Sequence, residues 1–370
     1  MEKKNVSEIK LLIVDDDKAV LESFKGSVER FNRDDDDKFK LYVAENLEQA
    51  SDYIQYYKLD TAIIDLNLDN GAGLNNDDGN VAIHDLVNFF RIPIFILTGE
   101  PQKLKEEYRS KKNIQCFTRG SLTNAELLSK IRDEFLLKTI QYFSREGYLE
   151  KKINKFYWKN LQETIDSWKE VAEDHPDEIN KILSRHTVAS LNEELYVDGN
   201  IGSFDHYHPA EMYIIPPIKQ HYHTGDILNK ERELYIILNP ACDIVNKNKL
   251  NYYTLAKIIQ AVDIFEISSK DSAGKETYIS SNLRSNNKVD RYHYLPKFAT
   301  IDNEYVIDFQ NLSVVSIGPN TNSGNANYIK DREAFIGQYQ KIASISSPFL
   351  KDVIARFSLY YARQGQPKLL

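Results

Sequence analysis

Acidic side chains follow two apolar segments of the sequence, where strands are expected to end. Asp15, Asp16 and Asp17 come directly after the run KLLIV at 10–14, and Asp65 ends the run TAIID at 61–65. Carboxylates gathered in one place repel one another unless a cation lies between them. Mg²⁺ prefers a few carboxylates together with water and phosphate oxygens. We therefore predict Asp15, Asp16 and Asp65 as ligands of Mg²⁺.

A hydroxyl and a guanidinium stand at the ends of two further apolar runs. Thr98 ends the run PIFILT at 93–98, and Arg119 follows NIQCFT at 113–118. A carboxylate beside Mg²⁺ can attack a phosphoryl group and form an aspartyl phosphate. A hydroxyl and a cationic side chain then hold the remaining phosphoryl oxygens. This chemistry predicts that Asp65 is the nucleophile and that Thr98 and Arg119 bind the phosphoryl oxygens.

Apolar runs and helical patterns alternate over the first 140 residues. The alternation predicts an α/β doubly wound, flavodoxin-like parallel sheet that is buried on both faces. In such a sheet the strand ends named above all lie at the carboxyl edge. The predicted strands are 10–14, 40–44, 61–65, 93–98 and 113–118, and the predicted helices are 17–32, 46–57 (with Asn46 as N-cap), 80–90, 101–111 and 123–140.

The segments LLIVDDD, TAIIDLNL, IPIFILTGE and CFTRGSL resemble, in this order, the receiver domain of two-component response regulators over residues 10–140. The resemblance implies that the paired acids Asp15 and Asp16 bind Mg²⁺. It also implies that Asp65 accepts a phosphoryl group from a histidine kinase and that Thr98 reports this event.

Three positions differ from the family pattern. Arg119–Gly120 replaces a Lys-Pro pair, Asp78–Gly79 lies farther from the nucleophile than the family's acid–glycine pair, and Cys116 occupies the place of an aromatic switch residue. Arginine differs from lysine in reach and in its forked geometry. A pseudo-receiver, acting as an adaptor or decoy that binds a kinase, therefore stays open as an alternative.

Two further domains are expected after residue 140. Residues 141–196 contain few glycines or prolines and predict a helical connector. Residues 197–370 predict a β-rich, small barrel-like α+β output domain. Its expected strands are EMYIIPP, ELYIILNP, DIFEIS, ETYIS, RYHYLP, EYVIDFQ and LSVVSIG, followed by a helix at 331–362 that Pro348 divides.

Histidines at two-residue spacing mark the C-terminal half. His206 and His208 form one pair, and His221 and His223 form another, with Asp226, Cys242 and Asp243 nearby in sequence. On a strand, each pair shares one face, and these residue types bind transition metals. A metal-dependent nuclease or hydrolase using His221, His223 and Asp243 is therefore an alternative function, although ordinary packing explains the same residues.

Two weaker signals lie in the same half. GDIL, LYIILNPACDIV and RYHYLP loosely resemble an uncharacterised domain of bacterial conflict and anti-phage systems, which assigns no chemistry to any residue. Lys351, Arg356, Arg363 and Lys368 could dock phosphates, but a solvated helix face is the favoured explanation.

The composition limits the classes of protein that fit. The chain has 370 residues, 42% of them hydrophobic, two cysteines and a net charge of −8. Its apolar runs fall short of the roughly 20 residues of a membrane helix, and two cysteines cannot form a disulfide framework. We expect a cytoplasmic response regulator of atypical type without membrane contact, partnered by a histidine kinase. The sequence leaves a homodimer, nucleic-acid binding and catalysis by the output domain open.

Overall fold

The computed structural model describes residues 8–68, 77–196, 207–245, 250–284, 289–317, 335 and 337–363. The chain divides into two compact units, 1–203 and 204–370. Each unit has its own hydrophobic core. The helices after residue 138 belong to the first unit, and the predicted three-part division stays a prediction.

A five-stranded parallel sheet forms the first unit, with the strand order β2-β1-β3-β4-β5. This order is the flavodoxin-like doubly wound arrangement that the alternating pattern predicts. Its elements are β1 (Glu8–Val14), α1 (Lys18–Asp34), β2 (Lys38–Ala44), α2 (Leu47–Tyr56), β3 (Thr61–Ile64), α3 (Asp78–Phe89), β4 (Ile94–Thr98), α4 (Glu106–Arg109), β5 (Ile114–Thr118) and α5 (Asn124–Leu136).

Burial and capping explain why these segments adopt their structures. Every residue of β3 and β4 is buried, as expected for central strands covered on both faces. The Asp17 side chain caps α1 by accepting from the Ala19 N–H, and Asn46 caps α2 as predicted. Thr123 and Glu126 form a capping box that starts α5.

Two predicted helices of the first unit are wrong in extent. The segment 101–111 contains a 3₁₀ turn, Pro101–Lys103, and the short α4, with Leu104 extended and buried between them. Burial of Leu104 breaks the helix, and the Arg109 side chain donates to its carbonyl at 2.9 Å. The helix predicted at 123–140 ends at Leu136, because Lys138 adopts a left-handed conformation with φ 61°.

Up to residue 196, four α-helices follow in the described part of the first unit: α6 (Thr139–Phe143), α7 (Tyr148–Phe156), α8 (Ile165–Asp174) and α9 (Ile179–Tyr196). A π-helical turn (Tyr157–Leu161) and a 3₁₀ turn (Gln162–Thr164) connect α7 to α8. Lys152 and Lys155 of α7 both pair with Glu194 of α9. Phe156 is the buried residue of α7. No helix in the described part of the chain is both long and apolar enough to cross a membrane.

A seven-stranded antiparallel sheet forms the second unit, with the strand order β10-β11-β9-β8-β7-β12-β6. The sheet curls, and the Tyr213 hydroxyl on one end strand donates at 2.8 Å to the Pro296 carbonyl just past the other end strand. The elements are β6 (Tyr213–Ile214), β7 (Asp226–Lys230), β8 (Glu233–Ile237), α10 (Ala241–Val245), β9 (Tyr252–Gln260), α11 (Ser272–Tyr278), β10 (Tyr292–Leu295), β11 (Tyr305–Ser316), β12 (Gln340–Ile345) and α12 (Ser347–Ala362).

The structure corrects three expectations for this unit. Residues 263–268 and 276–280 are helical turns rather than strands, because Ile264 and Ile267, and then Ile279 and Leu283, bury side chains at helical spacing. Within the predicted helix at 331–362, residues 340–345 form β12. Pro348 lies in the first turn of α12 and does not divide it.

Strand β12 lies near one end of the sheet. It pairs with β7 on one side, and on the other side β6 pairs only with Ser344 and Ile345. The Lys341 ammonium donates to the carbonyls of Lys219 and His221 and forms an ion pair with the buried Asp226 at 2.9 Å. The Lys341 side chain thus binds two backbone carbonyls and also pairs with a buried carboxylate of β7.

Candidate functional site

Backbone hydrogen bonds hold the predicted site residues at the carboxyl edge of the parallel sheet. The Asp65 N–H donates to the Val14 carbonyl at 2.9 Å, which places Asp65 beside the end of β1. The Arg119 N–H donates to the Thr98 carbonyl at 2.9 Å, which joins the ends of β4 and β5. The sheet therefore collects side chains from four strand ends.

Three carboxylates meet at this edge. One oxygen from each of Asp15, Asp16 and Asp65 lies within 4.8 Å of the others. Asp15 and Asp65 are buried, and Asp16 is half-buried. Burial raises the pKa of Asp15 to about 6, against the lowering effect of the Asp17 N–H and of Arg119. Negative charge at Asp15 is therefore costly without further compensation.

Arg119 supplies part of that compensation. Its Nη2 atom lies 2.7 Å from Asp15 Oδ2 and 3.0 Å from Asp65 Oδ2, so one guanidinium nitrogen bridges the two buried carboxylates. Its side chain is about a third exposed, which leaves the guanidinium accessible from solvent. Arg119 thus contacts both buried carboxylates directly.

The second oxygen of Asp65 has a different environment. Oδ1 is buried and has no hydrogen-bond partner among the residues that the structure describes. A buried anionic oxygen without a partner is unfavourable, so its surroundings suit a cation. The hard oxygen donors of Asp15, Asp16 and Asp65 fit Mg²⁺. The donor set therefore matches the metal that the sequence predicts.

Thr98 is the last residue of β4. Its side chain is fully buried, and its hydroxyl oxygen accepts from the Glu100 N–H at 3.2 Å. Thr98 pairs with Thr118 in the β4–β5 register, and Thr118 directly precedes Arg119. The hydroxyl and the guanidinium thus come from neighbouring strand ends, as the sequence predicts.

Gly79 determines how closely α3 approaches the site. A Cβ atom at this position would lie 2.5 Å from both the Asp65 carbonyl oxygen and Leu66 Cα. Such distances are incompatible with any side chain unless the backbone moves. Gly79, although distant from Asp65 in sequence, therefore packs against the backbone of Asp65 and Leu66.

A polar rim that the sequence reasoning missed lies at the same edge. The Asn67 amide donates to Glu100 Oε2 at 2.6 Å, and the Lys103 ammonium donates to Asn67 Oδ1 at 2.8 Å and pairs with Glu100 at 2.6 Å. Only their positions in the sequence could have indicated these residues, because Asn67 comes shortly after the end of β3 and Glu100 shortly after the end of β4.

Cys116 and Phe117 are neighbours on β5. Cys116 is exposed as a residue, but its sulfur is partly buried, and this burial raises the pKa of the thiol. Phe117 packs half-buried against the core.

The described histidines of the C-terminal half do not form a metal site of three or more His, Cys, Asp or Glu ligands. The Asp15–Asp16–Asp65 group is the only set of three possible His, Cys, Asp or Glu ligands that converges within the described residues. His221, His223 and Asp243 are therefore not brought together. Asp226 is engaged by Lys341 and by the His223 N–H, Cys242 is exposed, and His206 lies outside the described residues.

The basic residues near the C-terminus are partly engaged within the fold. Arg356 donates to the carbonyls of Val289 and Tyr292, and Arg363 pairs with Asp290 at 3.0 Å. Lys351 is exposed, and Lys368 lies outside the described residues. Arg356 thus ties α12 to the backbone beside β10, whereas Arg363 forms an exposed ion pair.

No protein-family model matches the chain. No curated protein matches it either. Among solved structures, the N-terminal domain of a response regulator/sensory box/GGDEF protein from Carboxydothermus hydrogenoformans is 21% identical, with a TM-score of 0.28, and the match covers 35% of this chain and 94% of that one. A CheY-like receiver domain from Methanospirillum hungatei JF-1 is 19% identical, with a TM-score of 0.27, over 36% and 97% of the two chains. A two-component response regulator from Clostridium difficile is 21% identical, with a TM-score of 0.27, over 35% and 98%. Structures of response-regulator receiver domains thus match about a third of the chain.

Proposed function

We propose that the first unit is a receiver that accepts a phosphoryl group on Asp65 from a phosphohistidine of a histidine kinase. The observation that carries the proposal is the environment of Asp65. Arg119 holds one carboxylate oxygen, the other is buried without a partner among the described residues, and Asp15 and Asp16 lie beside it. These surroundings support the formation of an acyl phosphate at Asp65.

The transfer exchanges one bond to phosphorus for another. An oxygen of the Asp65 carboxylate forms the new O–P bond, the N–P bond to the donor imidazole breaks, and the imidazole takes up a proton as it leaves. Mg²⁺ bound by Asp15, Asp16 and Asp65 would offset the negative charge that gathers on the phosphoryl oxygens. Arg119 and the Thr98 hydroxyl bind those oxygens after transfer.

Phosphorylation changes what Arg119 pairs with. In the unmodified site its Nη2 atom bridges Asp15 and Asp65. A phosphoryl group on Asp65 removes the carboxylate's charge and offers three new oxygens. Arg119 then moves to the phosphoryl group, and the end of β5 moves with it. We propose that the second unit, or a protein partner, responds to this change as the output.

Mass spectrometry tests the phosphoacceptor role. The protein is incubated with acetyl phosphate and Mg²⁺, and its intact mass is measured. We expect one phosphoryl group on the wild-type protein and on Asp52→Asn, which changes an exposed aspartate of α2, but none on Asp65→Asn. An equal mass gain in Asp65→Asn, or none in the wild type, would overturn the proposal.

A pseudo-receiver that binds a kinase without phosphotransfer is the second candidate. The Arg119 bridge favours it, because the bridge already supplies a positive charge to both buried carboxylates. The candidate predicts that the protein binds a histidine kinase equally well as wild type and as Asp65→Ala. Loss of binding in Asp65→Ala would exclude it.

A cellular role in anti-phage defence belongs to the same proposal. It is supported by the loose resemblance of the second unit and by no structural observation. Plating phage on cells that express the wild-type protein or Asp65→Asn tests it, and equal plaque numbers with and without the protein would exclude it.

A further inference from the structure

Arg119 holds the same carboxylates that a metal ion at this site would need. Its Nη2 atom lies 2.7 Å from Asp15 Oδ2 and 3.0 Å from Asp65 Oδ2. The other Asp15 oxygen, Oδ1, accepts from the Asp17 N–H at 2.9 Å. Both oxygens of Asp15 are therefore already engaged, one by a backbone amide and one by a cation.

The two carboxylates are shielded from water, whereas the guanidinium is not. The side chains of Asp15 and Asp65 are 5% and 7% exposed, and that of Arg119 is 36% exposed. The Thr98 carbonyl holds the Arg119 N–H at 2.9 Å, so the backbone can stay in place while the long side chain rotates towards solvent. The guanidinium is thus the member of this cluster that can leave it most easily.

The charge of Arg119 decides between two possible roles towards the metal. If the arginine only positioned the carboxylates, its removal would weaken metal binding. However, Mg²⁺ binds carboxylate oxygens at about 2.0–2.1 Å, so an ion on Asp15 would lie only a few ångströms from a guanidinium that stays on the same carboxylate. Two cations so close together repel each other strongly where water is largely excluded. The geometry therefore favours competition over cooperation.

We propose that Arg119 competes with Mg²⁺ for Asp15 and Asp65 and thereby lowers the affinity of the site for the metal. Binding of Mg²⁺ releases the guanidinium from the two carboxylates, and by linkage the bridging guanidinium opposes the metal to the same degree. The inference rests on the Mg²⁺ site of the proposed function but not on phosphoryl transfer. It therefore applies to a phosphoacceptor and to a pseudo-receiver alike.

Calorimetric titration of the full-length, metal-free protein with Mg²⁺ tests the proposal. We expect Arg119→Met to bind Mg²⁺ about tenfold more tightly than the wild type, which corresponds to about 1.4 kcal/mol. Arg119→Gln keeps N–H donors but loses the charge, and we expect it to bind Mg²⁺ as tightly as Arg119→Met.

Lys18→Met is the matched control. Lys18 is the first residue of α1, directly after the acidic run, and its exposed ammonium pairs with Glu45 at 3.5 Å. Its removal takes one positive charge from the same end of the sheet without touching the bridge. We expect the Mg²⁺ affinity to change by less than about twofold, because solvent and salt screen exposed charges.

A measurement on the wild-type protein makes the test independent of how the variants fold. The guanidinium NMR signals of Arg119, assigned by through-bond correlation, report whether the side chain leaves the carboxylates. We expect Mg²⁺ to shift these signals saturably, with the same midpoint as in calorimetry, whereas K⁺ at equal ionic strength should not shift them.

Four results would each overturn the proposal. They are unchanged or weaker Mg²⁺ binding in both Arg119 variants, equal tightening in Lys18→Met, Arg119 signals that do not respond to Mg²⁺, and no Mg²⁺ binding by any of these proteins. Failure of phosphoryl transfer has a separate readout, since it leaves the mass of the protein unchanged after incubation with acetyl phosphate and Mg²⁺.

Discussion

Replacing Gly79 with alanine adds one methyl group where α3 meets the end of β3. The new carbon would lie 2.5 Å from the Asp65 carbonyl oxygen, 2.5 Å from Leu66 Cα and 2.8 Å from the Leu66 carbonyl oxygen. All three neighbours are backbone atoms, so the strain cannot be relieved by rotating a side chain. Overpacking of this kind costs about 1–3 kcal/mol. The gain in helix propensity is at most ~1 kcal/mol, and we expect a net loss of about 1–2 kcal/mol.

Gly26→Ala is the matched control for this substitution. Gly26 lies inside α1, and a Cβ atom there would meet nothing within 4 Å. Without a clash, the gain in helix propensity remains, and we expect the free energy of unfolding to rise by about 0.5–1 kcal/mol. The same chemical change thus has opposite effects at two glycines of one unit.

Urea unfolding followed by tryptophan fluorescence measures both effects. The chain has two tryptophans, Trp158 and Trp168, and both lie in the first unit. Because the clash falls on the backbone of Asp65, Gly79→Ala should also weaken Mg²⁺ binding, and Gly26→Ala should not. The reasoning is refuted if Gly79→Ala is as stable as the wild type or if both variants shift in the same direction.

Three further predictions follow from charged and titratable groups. Arg119→Met removes the cation shared by the two buried site carboxylates. In metal-free urea unfolding we expect the free energy of unfolding to fall by about 1–2 kcal/mol, a value reduced because Arg119 is partly exposed. With Mg²⁺ present we expect a smaller fall. Burial lowers the pKa of His293 to about 3, so only the unfolded chain is protonated there between pH 6.5 and 3. Stability of the second unit should therefore fall as the pH falls through this window, and circular dichroism should show a smaller fall in His293→Gln. Lys341→Met leaves the buried Asp226 without its counter-ion, and thermal unfolding should show a loss of about 3 kcal/mol, whereas Lys351→Met on the exposed face of α12 should show little change.

Much of the first unit could be predicted from the sequence. Continuous apolar runs alternate with amphipathic helices, and this pattern alone indicates a doubly wound sheet whose strand ends lie at one edge. The pattern therefore predicts a common edge for Asp15, Asp65, Thr98 and Arg119, and the structure brings them to that edge. Their chemical roles stay predictions.

The details of the site depend on distances that no local pattern encodes. The sharing of one Arg119 nitrogen between two carboxylates depends on side-chain conformation. The contact of Gly79 with the Asp65 backbone crosses a long loop, so the sequence shows the glycine but not its neighbour. Leu104 interrupts a helical pattern because a tertiary contact buries it.

The second unit is harder to predict for a related reason. Ile264, Ile267, Ile279 and Leu283 lie in short apolar segments that fit strands and helical turns equally well. Strand β12 lies in a segment whose apolar spacing also fits a helix, and pairing with β7 decides its conformation. His293 carries no signal in the sequence, since a buried histidine without a hydrogen-bond partner among the described residues is recognisable only when its surroundings are known.

The position of Lys341 bears on how this protein avoids self-association. Among the described residues, β6 pairs only with Ser344 and Ile345 of β12, and an unpaired strand edge can recruit a strand from another molecule. The Lys341 side chain, whose charge is paired with the buried Asp226, holds the carbonyls of Lys219 and His221 beside β12. Loss of this lysine would therefore do more than lower stability: it would open a template for intermolecular β-sheet growth, so that aggregation would rise with protein concentration even where the fold survives.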